Sequence, residues 1–414
     1  MTTAAEALQQ PLDKLDLGNM DLWVDGPPHE VFERLRNEAP VHWSAMETWE
    51  GEKGFWSITR AEDIRTVSLD WKTFSSEKGG ILAPDNMVPL EAQTGMFIGM
   101  DPPRHDRIKS LFQQGFTPKR IAQHEEAIRA IARKTLDRLG DRVEFDLVDE
   151  VIQPVVARVI GSFLGAPEED DATWAALANQ GLGFGDPELQ PEGAETVNQL
   201  LMEVIERGNA VIADRRANPT DDLASVLVYA EVDGEKLEDY EILMGIALLV
   251  AAGNDSTKAT ASNGFWALMK EPEQMRKLVE DPGLIPSAVE EVLRMFPAFV
   301  HFRRTATCDT VLNGQAIAEG DKVVMWYPSG NRQDTEYKCP HQLDVERNPT
   351  HQAFGAGGRH FCLGAALARL ELNVLFEEIL ARYPNLELNG DVEAVCSIFI
   401  NQPRKLPVKV ATAS

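Results

Sequence analysis

One stretch constrains this chain more than any other: Phe354-Gly-Ala-Gly-Gly-Arg-His-Phe-Cys362-Leu-Gly364, followed by a long amphipathic segment. It sets a single cysteine after a glycine-rich turn and at the mouth of a helix expected from Ala365 to about Tyr383. Unpaired N–H groups and the positive end of the helix dipole favour a thiolate there. Glycines on both sides remove side chains that would keep a flat cofactor away from the sulfur. A lone anionic sulfur in an uncrowded niche suits one soft bond to iron. An isolated cysteine near a turn is more often a plain buried side chain, so the residues around it decide.

Those residues carry a resemblance. The segment resembles the heme-binding loop of the cytochrome P-450 family, whose cysteine is the axial iron ligand. In that pattern a glycine lies four residues before the cysteine, a histidine or arginine two before, and a glycine two after; Gly358, His360, Cys362 and Gly364 meet it. Phe354 lies eight residues before Cys362, where most members have seven. The longer loop resembles that of bacterial members that hydroxylate steroid side chains and methyl-branched lipids. The resemblance implies a cytochrome P-450 fold, mainly α with a small β portion. Heme b (iron with an axial thiolate) would lie between a long central helix and the cysteine-loop helix.

No Pro/Gly/Ser-rich linker, repeat or low-complexity tract divides the 414 residues, so one continuous domain over 1–414 is expected. The longest apolar run, Ile242 to Ala252, is about half the roughly 20 residues a membrane span needs. Met1 to Pro11 has neither the basic patch nor the apolar core of a signal peptide. Cys308, Cys339, Cys362 and Cys396 show no paired zinc spacing and no disulfide framework, which fits a reduced cytoplasm. A net charge of −26 argues against nucleic acid and anionic membranes as partners. A monomer is expected.

Along the chain, Gly54 to Arg60 reads as a strand and Gly80 to Gly99 as a long loop of the kind that covers binding sites. Helices are expected after Asp101-Pro-Pro103 and from Thr117-Pro118. Helical pattern then runs to Met295, broken at Gly181 to Gly193 and culminating in a long apolar helix from Leu237 to Met269. Thr310 to Ile317 carries the Asn313-Gly314 turn of a tight hairpin, and further strands are expected at Lys322 to Tyr327 and near Ile398 and Leu406.

Midway along the long helix lies Ala251-Ala252-Gly253-Asn254-Asp255-Ser256-Thr257. A buried acid is costly without a partner or a role. Adjacent residues on a regular helix diverge by roughly 100°, so Asp255 and Ser256 address one spot only if small residues around Gly253 open a turn to water. The alternative is a kink with a solvated Asp. The resemblance implies dioxygen binding and protonation here, with Ser256 in place of the usual threonine and Thr257 beside it. Glu291 and Arg294, three apart on one helix face, match the family's internal ion pair. Its usual third cation would fall at Gln342, within Pro340-His-Gln-Leu343.

The resemblance nominates His105, Arg304 and His360 for the heme propionates, with Lys109 where an arginine is usual. One and two turns before Asp255 on the long helix lie Ala251 and Leu248, expected in the substrate wall; by family position the wall also includes Met96, Phe97, Ala298, Val300, Ile398 and Phe399. Zinc on His351, His360 and Cys362 lacks a fourth ligand at normal spacing. The expected activity is insertion of one oxygen atom from dioxygen into a C–H bond of an apolar substrate (lipid, terpenoid or steroid-like). A peroxygenase would not need the Asp255-Ser256 pair, and a ligand sensor would need no electron donor. No flavin or iron–sulfur motif is present, so electrons from NAD(P)H would arrive through ferredoxin reductase and a ferredoxin. Arg104, Arg107, Lys109 and Arg359 are expected to form its docking patch.

Overall fold

The longest element is set by its ends and by the apolar run between them. Glu238 and Glu241 form a capping box that starts a helix at Asp239 and leaves it unbroken to Lys270, where Pro272 follows. Its 32 residues span about 48 Å. This central helix is packed by the helices Gln153–Leu164, Asp171–Leu182, Ala194–Ala217, Ile285–Met295 and Ala365–Arg382. Phe265 stacks on Phe376 with centroids 4.5 Å apart, joining it to the helix that follows the cysteine. The computed structural model describes residues 4–410 apart from 86, 184–185, 187, 190–193 and 233.

The opened turn expected at Gly253 is not formed. A Cβ there would come within 2.5 Å of Ile160 Cδ1. The missing side chain therefore serves the close approach of helix Gln153–Leu164, and the backbone ladder runs straight through.

The main sheet joins the two ends of the chain. Its order is Val41–Ser44, Phe55–Ile58, Lys322–Trp326, His301–Ala306, Phe74–Ser75, all antiparallel except the pairing of Phe55–Ile58 with Lys322–Trp326. Three of these five strands precede residue 76, so the β portion is less C-terminal than the pattern after Pro297 suggests. Asn313 and Gly314 have φ of 49° and 80°, the left-handed pair that a two-residue hairpin turn requires. Near Ile398 there is a single bridge, Phe299 to Ile400, in place of a strand.

The Gly80 to Gly99 segment is not all loop; it contains the helical turns Leu90–Gly95 and Phe97–Gly99. The break expected at Gly181 to Gly193 separates helices ending at Leu182 and resuming at Ala194, but Gly185, Pro187 and Pro191 lie outside the described residues. Among the described residues no helix is long and apolar enough to cross a membrane.

Candidate active site

The cysteine loop is shaped by left-handed glycines and by donors from two neighbouring helices. Gly355, Gly357 and Gly358 have φ of 93°, 96° and 82°. The Cys362 N–H donates to Phe354 O at 2.9 Å, closing the loop. Ser68 Oγ donates to Gly357 O at 2.8 Å, and Lys109 Nζ donates to Phe361 O at 2.8 Å and to Arg359 O. A Cβ on Gly358 would lie 2.9 Å from Ser68 O, so this glycine lets the loop rest on helix Ala61–Leu69. As expected, glycines on both sides of the cysteine, Gly355 and Gly364, border the cavity.

Gly364 begins helix Ala365–Arg382, and the N–H groups of Gly364 and Ala365 point at the Cys362 sulfur. Cys362 opens onto the cavity; the protein around it pushes the thiol up, while these N–H groups, Lys109 and Arg369 act in the opposite direction. The helix-end N–H groups favour the thiolate, as expected, and a cation bonded to the sulfur would complete the deprotonation, since coordinated thiols are deprotonated outright.

Cys362, His105, Lys109, Arg304 and His360 border one cavity. The rings of His105 and His360 are 4.3 Å apart. His105 Nδ1 lies 2.9 Å from Asp106 Oδ1, and His360 Nε2 lies 3.2 Å from Ser76 Oγ. Their other nitrogens, His105 Nε2 and His360 Nδ1, are buried without partners. Burial lowers the pKa of both, and Arg304 lowers that of His360 further. Arg304 is itself 4% exposed, and its guanidinium donates to the Arg303 backbone at 2.8 Å. Buried cations and orphaned ring nitrogens call for an anion. Heme, with two carboxylates and an iron for the sulfur, fits this donor set. The Lys109 ammonium donates to two loop carbonyls and so secures the cysteine loop as well as bordering the cavity.

The central helix presents Ala252, Ser256, Thr257 and Thr260 to the same cavity. Ser256 Oγ donates to Ala252 O at 2.6 Å. Asp255 faces away. Its Oδ1 accepts from Lys258 Nζ at 2.8 Å, Lys258 also reaches Asn179 Oδ1, and Asp255 Oδ2 is buried without a partner. Burial raises the Asp255 pKa, and Lys258 counters it only in part.

Comparison with known proteins decides the family. The cytochrome P450 sequence profile matches residues 191–282 and 283–404. The chain is 37% identical over 409 residues to the methyl-branched lipid omega-hydroxylase of Mycobacterium tuberculosis, covering 96% of this chain and 95% of that protein. It is 34% identical to the linalool 8-monooxygenase of Pseudomonas putida, covering 96% and 99%. The structure of a Mycobacterium marinum cytochrome P450 in complex with pseudoionone superposes with a TM-score of 0.87 at 34% identity, covering 99% of this chain and 97% of that one. The chain belongs to the cytochrome P450 family. It is therefore a heme-thiolate monooxygenase, an oxidoreductase.

In this P450 the expected substrate wall divides into two layers. Phe97, Leu248 and Ala298 line the cavity. Met96, Ala251, Val300, Ile398 and Phe399 are not among its lining residues. Val300 and Ile398 pack into the core with Trp23, Phe32, Phe55 and Trp326, and Ala251 and Phe399 pack with Leu82, Leu182, Phe299 and Phe302. The misplacement of Ala251 is a phase error. Counting turns back from Asp255 gives Ala251, whereas counting from Ser256 gives Ala252 and Leu249, both of which line the cavity. Phe302 was missed although it alternates with Arg304 along strand His301–Ala306 and so shares its face. Glu371, also missed, lines the cavity; burial holds its carboxyl well above the usual range, and Oε2 has no partner.

Behind the cysteine loop, Arg294 donates from Nε and Nη2 to the two carboxylate oxygens of Glu291, each at 2.7 Å, with both side chains fully buried. The third cation is Arg347, whose Nε donates to Glu291 Oε1 at 3.0 Å. It lies beyond Gln342, which contributes a backbone carbonyl to Arg347 Nη2 at 3.3 Å. The expected basic patch is largely self-neutralised: Arg107 pairs with Glu241, Arg359 pairs with Asp106 and lies over Trp71, and Lys109 is buried. Among the described residues no cluster of three His, Cys, Asp or Glu could hold a separate metal ion.

Proposed function

We propose that this P450 inserts one oxygen atom from dioxygen into a C–H bond of an apolar substrate of terpenoid size or longer, with Cys362 as the axial iron ligand. One observation carries the reading: the cavity bounded by Cys362 and the cation cluster is also bounded by Ser256, Thr257 and an apolar wall that includes Phe97, Leu248, Phe299 and Phe302. Heme, when bound, supplies dioxygen activation, which a thiolate ligand promotes by donating electron density. The protein does the rest. His105, Arg304 and His360 would hold the propionates, and Lys109 keeps the cysteine loop in place. Ser256 is set to relay a proton at Oγ, and Asp255, whose carboxyl pKa burial raises, supplies it when that carboxyl leaves Lys258. The apolar wall excludes water and binds by area removed from solvent, about 25 cal/mol per Å².

The relatives support an apolar ligand, since they are named for a methyl-branched lipid and for linalool, and a solved neighbour holds pseudoionone. Among the described residues the basic groups bordering the cavity are His105, Lys109, Arg304 and His360, so a free fatty acid finds no second cation there to grip its carboxylate. Electrons come from NAD(P)H through a ferredoxin. With Arg107 and Lys109 engaged internally, the contact rests on exposed Arg104 and on Arg359 beside Phe361, which is 42% exposed. The test is titration of the ferric protein with linalool, pseudoionone and testosterone, followed by turnover under labelled dioxygen. Low-to-high-spin shifts and one labelled oxygen per product are expected. Tight binding of small polar aromatics alone would overturn the substrate class.

A further inference from the structure

The apolar wall is held from behind by a residue that does not touch the cavity. His301 opens the strand His301–Ala306 and is fully buried. Its Nε2 receives the N–H of Ala83 at 3.1 Å, and its Nδ1 lies 2.9 Å from the carbonyl of Ile398. An N–H needs a lone pair opposite it and a carbonyl needs a proton, so the two contacts together define one neutral tautomer, Nδ1–H. The ring thus bonds three separate segments: its own strand, the 80–99 segment through Ala83, and the Ile398–Phe399 turn. It also packs between Trp326 and Phe399, with centroids 5.2 and 5.3 Å away. Phe399 in turn touches Phe299 and Phe302 at 5.1 and 5.7 Å, and those two rings line the cavity. One ring therefore separates His301 from the substrate wall.

We infer that His301 is a positioning residue for substrate selection: as the Nδ1–H tautomer it clamps the 80–99 segment and the Ile398–Phe399 turn onto the strand carrying Phe302 and Arg304. The inference rests on the substrate reading above only for which ligands are used to probe it; the clamp itself is independent of substrate class. Burial lowers the His301 pKa to about 4, with Arg303 acting in the same direction, so the clamp is neutral at physiological pH.

The test uses the heme-loaded protein and two substitutions. His301→Leu keeps bulk and removes both hydrogen bonds. His301→Gln retains a donor and an acceptor on one amide. In His301→Leu, exchange of the Ala83 amide should quicken by about tenfold, the scale of one lost hydrogen bond. The ratio of spectral dissociation constants for linalool and testosterone should move by roughly tenfold, the scale of a small change in an apolar pocket. His301→Gln should restore both toward wild type. A purely structural role would weaken both ligands alike and leave their ratio unchanged, and that result would overturn the inference. If His301→Leu fails to take up heme, nitrogen NMR of the wild-type ferrous–CO protein still decides: Nδ1–H supports the clamp, Nε2–H sinks it. Failure of either ligand to bind wild type would count against the substrate reading, while the amide exchange and tautomer would still judge the clamp.

Discussion

The two sides of the cavity are held by different forces. On the cysteine side, Glu291 takes two bonds from buried Arg294 and one from Arg347, Arg369 grips Glu290, and Lys109 ties two loop carbonyls. These bonds are charge-assisted, short and directional. On the far side, aromatic rings meet at 5.1 to 5.7 Å and the walls are joined by neutral hydrogen bonds such as those of His301. Charge-assisted pairs fix the cysteine loop and the helices behind it in one geometry. Ring contacts tolerate small repacking, so the distal wall can accept changes of substrate without disturbing the iron site.

That contrast breaks first at Cys362. Cys362→Ala should abolish the thiolate-type ferrous–CO spectrum, while alanine at Cys308, Cys339 or Cys396 leaves it intact. An unchanged spectrum in Cys362→Ala would remove the proposed iron ligand. Next comes the buried pair. Arg294→Met strands Glu291 in the interior and should cost about 3–5 kcal/mol, as breaking a buried ion pair does. Arg347→Met should cost less, because Arg347 is 15% exposed and Arg294 remains. Denaturant midpoints of the heme-loaded proteins measure both. A loss from Arg347→Met as large as that from Arg294→Met would mean that the three charges act as one unit.

On the central helix the comparison sharpens within four residues. Asp255→Asn should slow turnover by about 10²-fold, the scale of a positioned proton-transfer group. Ser256→Ala should leave substrate binding near normal and divert reducing equivalents to peroxide. Product formed per NAD(P)H consumed reads both. Full coupling in both variants would transfer proton delivery to Thr257 or to Glu371, which lines the same cavity.

Much of the cysteine side was legible because its signals are local. Gly358, His360, Cys362 and Gly364 sit in one short stretch, and the helix after them begins where the glycine ends. What escaped depends on pairings distant in the chain. Arg107 looked like a free surface cation, yet its partner Glu241 lies 134 residues away. Arg347 was hidden because the third cation was sought within the Pro340 stretch. The wall was half read for a geometric reason: turns were counted from the acid, which points at Lys258, and not from the alcohol that faces the cavity. Val300 and Ile398 are as apolar as true wall residues, and only tertiary packing shows that they lie one layer behind.

The smallest effect predicted separates the two sides by pH. Burial lowers the His301 pKa to about 4, below its unfolded value near 6.5. The folded protein therefore binds fewer protons than the unfolded chain in that window, and the clamp's contribution falls as pH drops from about 6.5 to 4. The charged groups near it are Arg303, Asp85, which pairs with both Arg303 and Lys322, and Glu52, which also pairs with Lys322. On the cysteine side, burial would raise Glu290, but hydrogen bonds from Arg369 and His351 outweigh it and hold the carboxyl at about 2. A depressed carboxyl pKa contributes stability above about 4.5 and loses it as pH falls toward 2. Acidification should thus loosen the 80–99 segment before it releases the cysteine side. The protection of the Ala83 amide against exchange, relative to the intrinsic rate at each pH, should fall between about pH 6 and 4 while the thiolate-type spectrum persists. Glu290→Gln should flatten only the later, more acidic step, and His301→Gln only the earlier one. Simultaneous loss of both signals would show that the two sides open as a single unit, and that their different bonding does not make them separable.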